Sequence, residues 1–180
     1  MLKWLENVYI DNPRIPSVML NLEILRIFIS PGHDFKGRHG KERLDHGSQS
    51  VDSVECVAGR GLEGDRFFDY RDDFKGQMTF FDLAVAEAVE RKLGLVDFEL
   101  SQLRRNVIVS GISLNDLIGK RFEVNGVAFF GSEECSPCYW MNEALGPGVE
   151  SLLKGRGGLR CRILSSGTLR LGESQLKVII

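Results

Sequence analysis

The sequence has no apolar run of the roughly 18 to 20 residues that a membrane-spanning helix needs. Its first residues form no signal-peptide core, because Lys3, Glu6 and Asp11 interrupt the apolar positions and Pro13 and Pro16 follow. We therefore expect a cytosolic (cytoplasmic) protein. Excess charge is also missing: 23 Lys and Arg stand against 25 Asp and Glu, a formal net charge of -2. That balance gives no overall reason to expect binding to nucleic acid or to an anionic membrane.

Cysteine is scarce, with four in 180 residues, and in a reducing cytosol these are expected to be thiols rather than structural disulfides. Two of them, Cys56 and Cys161, lie within strand-like patterns and are interpreted as core residues. No internal repeat or low-complexity segment is present, and the length suits one domain with a sizeable core. We place an N-terminal appendage at residues 1–21 and the main domain at residues 22–180.

Most of the remaining signals are typical of short strands. Asn125-Gly126 between two strand-like runs predicts a hairpin, because a type I′ turn needs positive φ at both central positions. Asp82 and Gly94 predict the start and the end of one longer helix. Many short strands with glycine-marked turns favour a barrel or a sandwich over a doubly wound α/β fold. The order of elements does not choose between these two.

A long polar stretch, residues 30–49, follows the first predicted strand and contains all three histidines of the chain. A loop of this length in a compact domain is usually either functional or disordered. The histidines are His33, His39 and His46, and their spacing alone does not define a metal site.

Cys135 and Cys138, in the run CSPC, form the stretch with the most reactive chemistry. Three functional interpretations are open: a dithiol redox pair, half of a zinc site, or a single thiolate that acts as nucleophile or metal ligand. The redox pair lacks its usual βαβ setting, and no second pair of ligands completes a zinc site. A short helix over residues 139–145 would place Cys138 near a helix N-terminus, which favours the thiolate. Two ordinary buried thiols are the non-functional alternative.

Local positive charge is the second clue to function. It is concentrated in the histidine-containing loop, in Arg104-Arg105-Asn106, and in residues 155–160, where arginines adjoin glycines. Glycine lets the backbone approach an anion closely while a guanidinium binds it with two hydrogen bonds. A solvated surface explains any one of these clusters, but three in one small domain favour a ligand that carries a phosphate.

Five stretches, taken in order, resemble the MOSC domain, a family named for the C-terminal domain of molybdenum-cofactor sulfurases. They are Gly61–Arg66, Arg104–Val107 with Gly111 after it, Pro137-Cys138, Gly155–Arg160 and Gly167–Gly172. The resemblance runs from about Ile24 to the C-terminus. It implies a mainly β fold with a few short helices: a mostly antiparallel closed β-barrel, similar to the barrel domain of pyruvate kinase.

The resemblance also implies a chemistry for one residue. The family cysteine matches Cys138, which makes it the expected catalytic residue and metal ligand. Its thiolate would bind a molybdenum-pterin, the molybdenum cofactor, or carry sulfur as a persulfide. The alternatives are a molybdenum-dependent reductase of N-hydroxylated compounds and a non-catalytic redox-sensing module that uses Cys135 with Cys138. The expected partner is a separate pyridoxal-phosphate-dependent cysteine desulfurase as sulfur donor, or a separate electron donor.

Together, the residues and the resemblance predict a basic cleft at the barrel with Cys138 at its floor. The candidates for binding the phosphate of the cofactor are Arg66, Arg105, Arg156 and Arg160. Asn106 is counted among the cofactor-binding candidates, although we expect Asn106 and Asp65 to fix turns and strand ends by hydrogen bonds.

Overall fold

The computed structural model describes residues 16–179 of the chain. These residues form eleven strands, which are β1 (Ser17–Ile29), β2 (Gln49–Val51), β3 (Ser53–Val57), β4 (Gly61–Leu62), β5 (Met78–Asp82), β6 (Val107–Ser110), β7 (Arg121–Val124), β8 (Val127–Glu134), β9 (Leu159–Ile163), β10 (Gly167–Arg170) and β11 (Gly172–Ile179). The α-helices of this range are α1 (Leu83–Leu93), α2 (Trp140–Leu145) and α3 (Val149–Leu153). In residues 16–179 no helix has the length and apolar character needed to cross a membrane.

Seven strands close into a barrel. Their order around the ring is β11-β7-β8-β9-β5-β6-β1, and β1 pairs with β11 to close it. Every neighbouring pair is antiparallel except β5 and β6, which are parallel, so the barrel is mixed rather than purely antiparallel. The predicted mainly β fold and mostly antiparallel closed barrel are confirmed. A second, small sheet has the order β10-β3-β4.

The first strand of the barrel, β1, pairs with three other strands because it is long and irregular. Residues 17–24 pair with β11, residues 23–27 pair with β6, and residues 27–29 pair with β2. A register shift between Ile24 and Arg26 marks a bulge, which bends a strand and increases its twist.

The appendage predicted at residues 1–21 is only partly within the described range. Residues 1–15 lie outside it, whereas residues 17–21 pair with β11 as the first part of β1. A separate appendage, and a domain boundary at residue 22, stay predictions.

Two local signals in the sequence are confirmed in detail. The β7–β8 hairpin turns at Asn125 and Gly126, which have φ of 52° and 77°. Helix α1 begins after Asp82, whose carboxylate accepts a hydrogen bond from the Ala84 amide. It ends at Gly94, which adopts the left-handed conformation that glycine accommodates without strain. In both places, chemistry within a few residues decides the backbone, so sequence alone is sufficient.

Aromatic side chains fill the interior of the barrel. Phe80, Phe122 and Phe129 are fully buried, and their ring centroids lie 5.5 to 5.9 Å apart. Burying each such side chain contributes about 1.5–3 kcal/mol to folding. Because side chains fill a small barrel, a ligand site has to lie at its rim or on its outer surface.

A second apolar cluster lies outside the barrel and supports the functional region. Phe81 and Ile108, from β5 and β6, pack there with Val89 of α1, Met141 of α2 and Leu153 of α3. This packing fixes α2 to the barrel wall. The segment that precedes α2, which contains Cys135 and Cys138, is thereby held at a defined place on the rim.

Candidate functional site

A cleft of about 360 Å³ opens between the loop that follows β1 and the segment that follows β8. This volume lies within the range of small-molecule sites, about 300–1,000 Å³. The cationic side chains that line the cleft are Lys36, Arg66, Arg104, Arg105 and Arg160. The aromatic side chains that line it are Phe35, Phe67, Phe74 and Trp140. Such a lining suits a ligand that combines an anionic group with a flat ring.

Cys138 is the accessible thiol of this cleft. Its side chain is exposed and lines the cleft, and its carbonyl oxygen accepts a hydrogen bond from the Met141 amide at the start of α2. The two cysteines that were predicted to lie in strands, Cys56 in β3 and Cys161 in β9, are buried as expected. Burial raises the pKa of Cys56 to about 12 and the pKa of Cys161 well above its ordinary value. Those two thiols therefore stay protonated and inert at neutral pH.

Cys135 also lines the cleft, but it is buried, with 7% of its surface exposed. Its amide donates to the Gly158 carbonyl at 2.7 Å, and its side chain lies close enough to the Arg160 guanidinium to raise the pKa of that group. Gly157 packs directly against it: a Cβ at that position would lie 2.4 Å from the Cys135 carbonyl oxygen. The glycine-rich run after α3 is thus needed for close packing against the segment that contains Cys135.

Arg66 and Arg160 reach the cleft from distant parts of the chain. Burial lowers the pKa of Arg66, and the neighbouring Arg104 and Arg105 lower it further, although Asp65 opposes this. Burial acts in the same direction on Arg160, but Cys135 and Glu133 outweigh it and raise the pKa of that guanidinium. Both groups remain charged, as guanidinium groups do in proteins. The crowding of buried cations around Arg66 favours the entry of an anion.

Arg105 lines the cleft, but its guanidinium is hydrogen-bonded to backbone carbonyl oxygens. Its guanidinium donates to the carbonyl oxygens of Gly157, Leu103 and Cys135 at 2.8, 3.0 and 3.0 Å. All three acceptor residues are buried, as is Arg105 itself at 7% exposure. In this arrangement Arg105 cross-links the segments that form the floor of the cleft.

Asn106 is likewise internal. Its side-chain oxygen accepts hydrogen bonds from the amide and hydroxyl of Thr79, and its side-chain nitrogen donates to Phe28 and Asp65. Asp65 in turn accepts from the amides of Ser30 and Phe67. The expected role of these two residues in fixing turns and strand ends agrees with these contacts, whereas the cofactor-binding role predicted for Asn106 stays a prediction.

Arg156 is the predicted phosphate ligand that the structure does not bring to this cleft. Its Nε donates to the Leu152 carbonyl oxygen at 2.7 Å, and its side chain lines a different pocket, beside Asn115 and Asp82. The predicted convergence is therefore met by Arg66, Arg105 and Arg160 and not by Arg156. The reason is local: Arg156 hydrogen-bonds back to the end of α3, which directs its side chain away from the segment containing Cys138.

The sequence reasoning missed several residues that the loop after β1 brings into the cleft. His33, Asp34 and Phe35 line it, and Phe35 packs on Trp140 with ring centroids 4.8 Å apart. The unusual length of the loop was the available signal, because long loops in compact domains are often functional. Its placement depends on tertiary contacts that no local pattern shows.

The loop is held over the cleft by a buried carboxylate. Asp34 accepts from Arg104 at 2.8 Å and from both the amide and the ring of His46 at 2.9 and 2.7 Å. Burial alone would raise the pKa of Asp34, but the His46 hydrogen bonds and the Arg104 charge lower it. Arg104 also donates to the carbonyl oxygens of Gly32 and Gly47, so it ties both ends of the loop together.

This combination of barrel, glycine-rich motifs and rim cysteine agrees with a comparison to protein families. The family model of the MOSC domain matches residues 69–175, which include Cys138 and the arginines from position 104 onward. The chain belongs to the MOSC domain family. That family is associated with binding of the molybdenum cofactor.

Solved structures with the same fold support the architecture of this MOSC domain. The YuaD protein from Bacillus subtilis superposes with a TM-score of 0.72 at 18% identity, over 92% of this chain and 100% of that one. YiiM from Geobacillus stearothermophilus gives a TM-score of 0.64 at 16% identity, over 88% and 75%. YiiM from Escherichia coli gives 0.58 at 16%, over 91% and 70%. A search of the curated proteins finds no match. At these identities the likeness shows the fold alone.

The cysteines of the MOSC domain are predicted to differ sharply in reactivity. In the native protein, iodoacetamide should modify Cys138 first, because it is the exposed thiol, and should leave Cys56 and Cys161 unmodified until the barrel unfolds. Peptide mass spectrometry over a time course measures the order. Faster modification of Cys56 or Cys161 than of Cys138 would show that the cysteine assignment is wrong.

Proposed function

We propose that the protein binds a molybdenum-pterin in this cleft, with the Cys138 thiolate as a sulfur ligand to the metal and Arg66 and Arg160 near the phosphate. The observation that carries the proposal is that an exposed thiol and guanidinium groups from distant parts of the sequence line one cleft. Family membership supplies the identity of the cofactor. The cationic lining and the exposed thiol of the cleft are the reason for proposing that the cofactor binds there.

The donor set of the cleft fits a metal that arrives with its own ligands. Within residues 16–179 no group of three or more His, Cys, Asp or Glu side chains could hold a metal ion. A molybdenum-pterin brings sulfur donors on the pterin, so a single soft thiolate from the protein completes its attachment. Cys138 is accessible to supply that thiolate, whereas Cys135 is buried. When bound, such a cofactor supplies two-electron redox chemistry.

The remaining cleft residues bind and orient rather than react. Arg66 and Arg160 can each offer a planar, charged pair of donors to a phosphate group. The rings of Phe35, Trp140 and Phe67 supply flat apolar surfaces against which a pterin or a substrate ring can stack. Arg105 keeps the floor of the cleft in place through its three backbone hydrogen bonds.

Two uses of this site follow from the chemistry of a thiolate. Cys138 can accept a sulfane sulfur and hold it as a persulfide, with a separate pyridoxal-phosphate-dependent cysteine desulfurase as donor. The second candidate is reduction of an N-hydroxylated compound, in which two electrons from a separate donor and two protons convert the N–OH group to N–H and water. The aromatic lining of the cleft favours this second use, because it offers a substrate ring an apolar surface.

Replacing Arg160 with glutamine tests the anion-binding part of the proposal. We expect binding of the molybdenum-pterin to weaken by about tenfold to a hundredfold, because a charge-assisted hydrogen bond contributes about 1.5–3 kcal/mol. The matched control is Arg170→Gln, which removes an exposed guanidinium on β10. Retained cofactor is measured after dialysis, with thermal melts of both variants. Equal retention in the two variants would exclude Arg160 from the binding site.

A direct assay separates the two uses. Wild-type protein incubated with a cysteine desulfurase and cysteine should gain 32 Da (about one sulfur atom) on Cys138 if it is a sulfur carrier. Cofactor-loaded protein with a chemical reductant should convert a hydroxylated amine to the amine if it is a reductase. Activity in neither assay, together with full cofactor content, would restrict the function to cofactor binding.

A further inference from the structure

The three histidines of the chain differ in what their rings contact. His46 Nδ1 lies 2.7 Å from the Asp34 carboxylate, and His39 Nδ1 lies 3.0 Å from the Tyr139 hydroxyl. Both rings therefore help to hold the loop after β1. The His33 ring lines the cleft, and within residues 16–179 neither of its nitrogens has a hydrogen-bond partner. Among these three histidines, His33 alone has both ring nitrogens available to a ligand.

Ring contacts hold the His33 imidazole in place. It packs edge-on against Phe67, with centroids 4.9 Å apart, and lies tilted against Tyr70 at 5.6 Å. Arg66 lies over the same Phe67 ring, with its guanidinium carbon 4.9 Å from the ring centroid. The imidazole and the Arg66 guanidinium are thus positioned by the same aromatic side chain and line the same cleft.

We propose that His33 is the proton-carrying member of the anion site: it is neutral before an anion enters and takes up a proton when a doubly charged oxyanion binds beside Arg66. The inference rests on the anion-binding cleft of the proposed function and adds a residue and a pH dependence to it. An imidazolium then donates a hydrogen bond to the anion, which a neutral ring with its proton on the other nitrogen would not do.

The charged groups around His33 explain why it is neutral at first. Partial burial lowers its pKa below the ordinary value, and the cations Arg66, Lys36 and Arg104 act in the same direction. Asp65 opposes them, but it already accepts hydrogen bonds from Arg66 and Asn106. At neutral pH the imidazole is therefore uncharged, with a proton on one of its two nitrogens.

An oxyanion in the cleft reverses this balance. Its two negative charges offset the guanidinium groups and offer acceptor oxygens to the imidazole. An opposite charge within about 4–6 Å raises the pKa of a histidine by about 1–3 units. By linkage, the protonated protein then binds the anion more tightly by the same factor, about tenfold for each unit. Anion affinity should consequently increase as pH falls through the neutral range.

The test uses cofactor-free protein and sulfate, which stays doubly charged over the whole neutral pH range. The imidazole signals of the three histidines are followed by NMR from pH 5 to 8.5, with sulfate or with chloride at equal ionic strength. The variant His33→Gln assigns the signal of His33. His39→Gln is the control, since that exposed ring contacts Tyr139 and does not line the cleft.

Sulfate is expected to raise the pKa of His33 by about one unit or more and to leave those of His39 and His46 nearly unchanged. Sulfate affinity should rise about tenfold between pH 8 and pH 6 in wild type and in His39→Gln, and should lose this pH dependence in His33→Gln. Sulfate binding with no shift at His33 would overturn the inference and leave the anion site intact. No sulfate binding, or equal binding by Arg66→Gln, would overturn both.

Discussion

Cys138→Ser should abolish molybdenum retention, or persulfide formation, while leaving the protein folded. A serine hydroxyl is a poor soft-metal ligand and cannot hold a sulfane sulfur. We expect bound molybdenum to fall by at least about tenfold, since even loss of a residue that only orients a metal ligand costs about 10–100-fold in metal affinity. The exposed position of Cys138 predicts an unchanged melting temperature. Metal and sulfur content of the purified variant, beside wild type, measure the effect.

The matched variant is Cys135→Ser, three residues away. We expect it to retain most of the molybdenum or sulfur, because Cys135 is buried, with 7% of its surface exposed, and is poorly accessible to a ligand. Equal loss in both variants would favour the dithiol redox alternative, in which both thiols act together. No loss in either would leave the cleft as a binding site without cysteine chemistry.

Arg105→Met should produce the largest loss of stability among the cleft residues. It removes the donors of three buried carbonyl oxygens, on Gly157, Leu103 and Cys135. An unsatisfied buried acceptor costs about 1–3 kcal/mol, and some relaxation is expected, so we predict a decrease of about 3 kcal/mol or more in the free energy of unfolding. Urea denaturation of cofactor-free protein measures it.

Two further variants control for the chemistry of the change. Arg170→Met removes an exposed guanidinium and should change stability by less than about 0.5 kcal/mol. Arg105→Lys keeps the charge but loses the planar fork of donors, so it should remain strongly destabilised. If Arg105→Met melts like wild type but loses cofactor, then Arg105 acts as a ligand for the phosphate and not as a cross-link in the floor of the cleft.

The parts of the fold that were predictable depend on short-range chemistry. The hairpin at Asn125-Gly126 and the helix between Asp82 and Gly94 are specified by residues that need a particular φ or cap. The closed barrel did not follow from the strand pattern, which fits a sandwich equally well; the resemblance of the ordered motifs decided it. Neither the strand pattern nor the resemblance predicted the parallel pairing of β5 with β6.

For the candidate site, the sequence predicted which types of residue are present better than it predicted where their side chains point. The glycine-rich run from Gly155 to Arg160 marked both of its arginines alike, yet Arg160 lines the cleft from β9 while Arg156 hydrogen-bonds back to Leu152. His33 was visible only as one of three histidines in a long loop. It differs from the other two because the His46 ring is hydrogen-bonded to Asp34 and the His39 ring to Tyr139. Those contacts span 12 and 100 residues of sequence.

The most direct test of cofactor binding at Cys138 is the molybdenum and pterin content of wild-type protein purified from a host that makes the molybdenum cofactor. We expect about one molybdenum and one pterin per chain, because one accessible thiolate defines one site. We also expect both to be lost together in Cys138→Ser. Wild-type protein that contains neither, from a host in which another molybdenum-pterin protein is fully loaded, would contradict cofactor binding by this cleft.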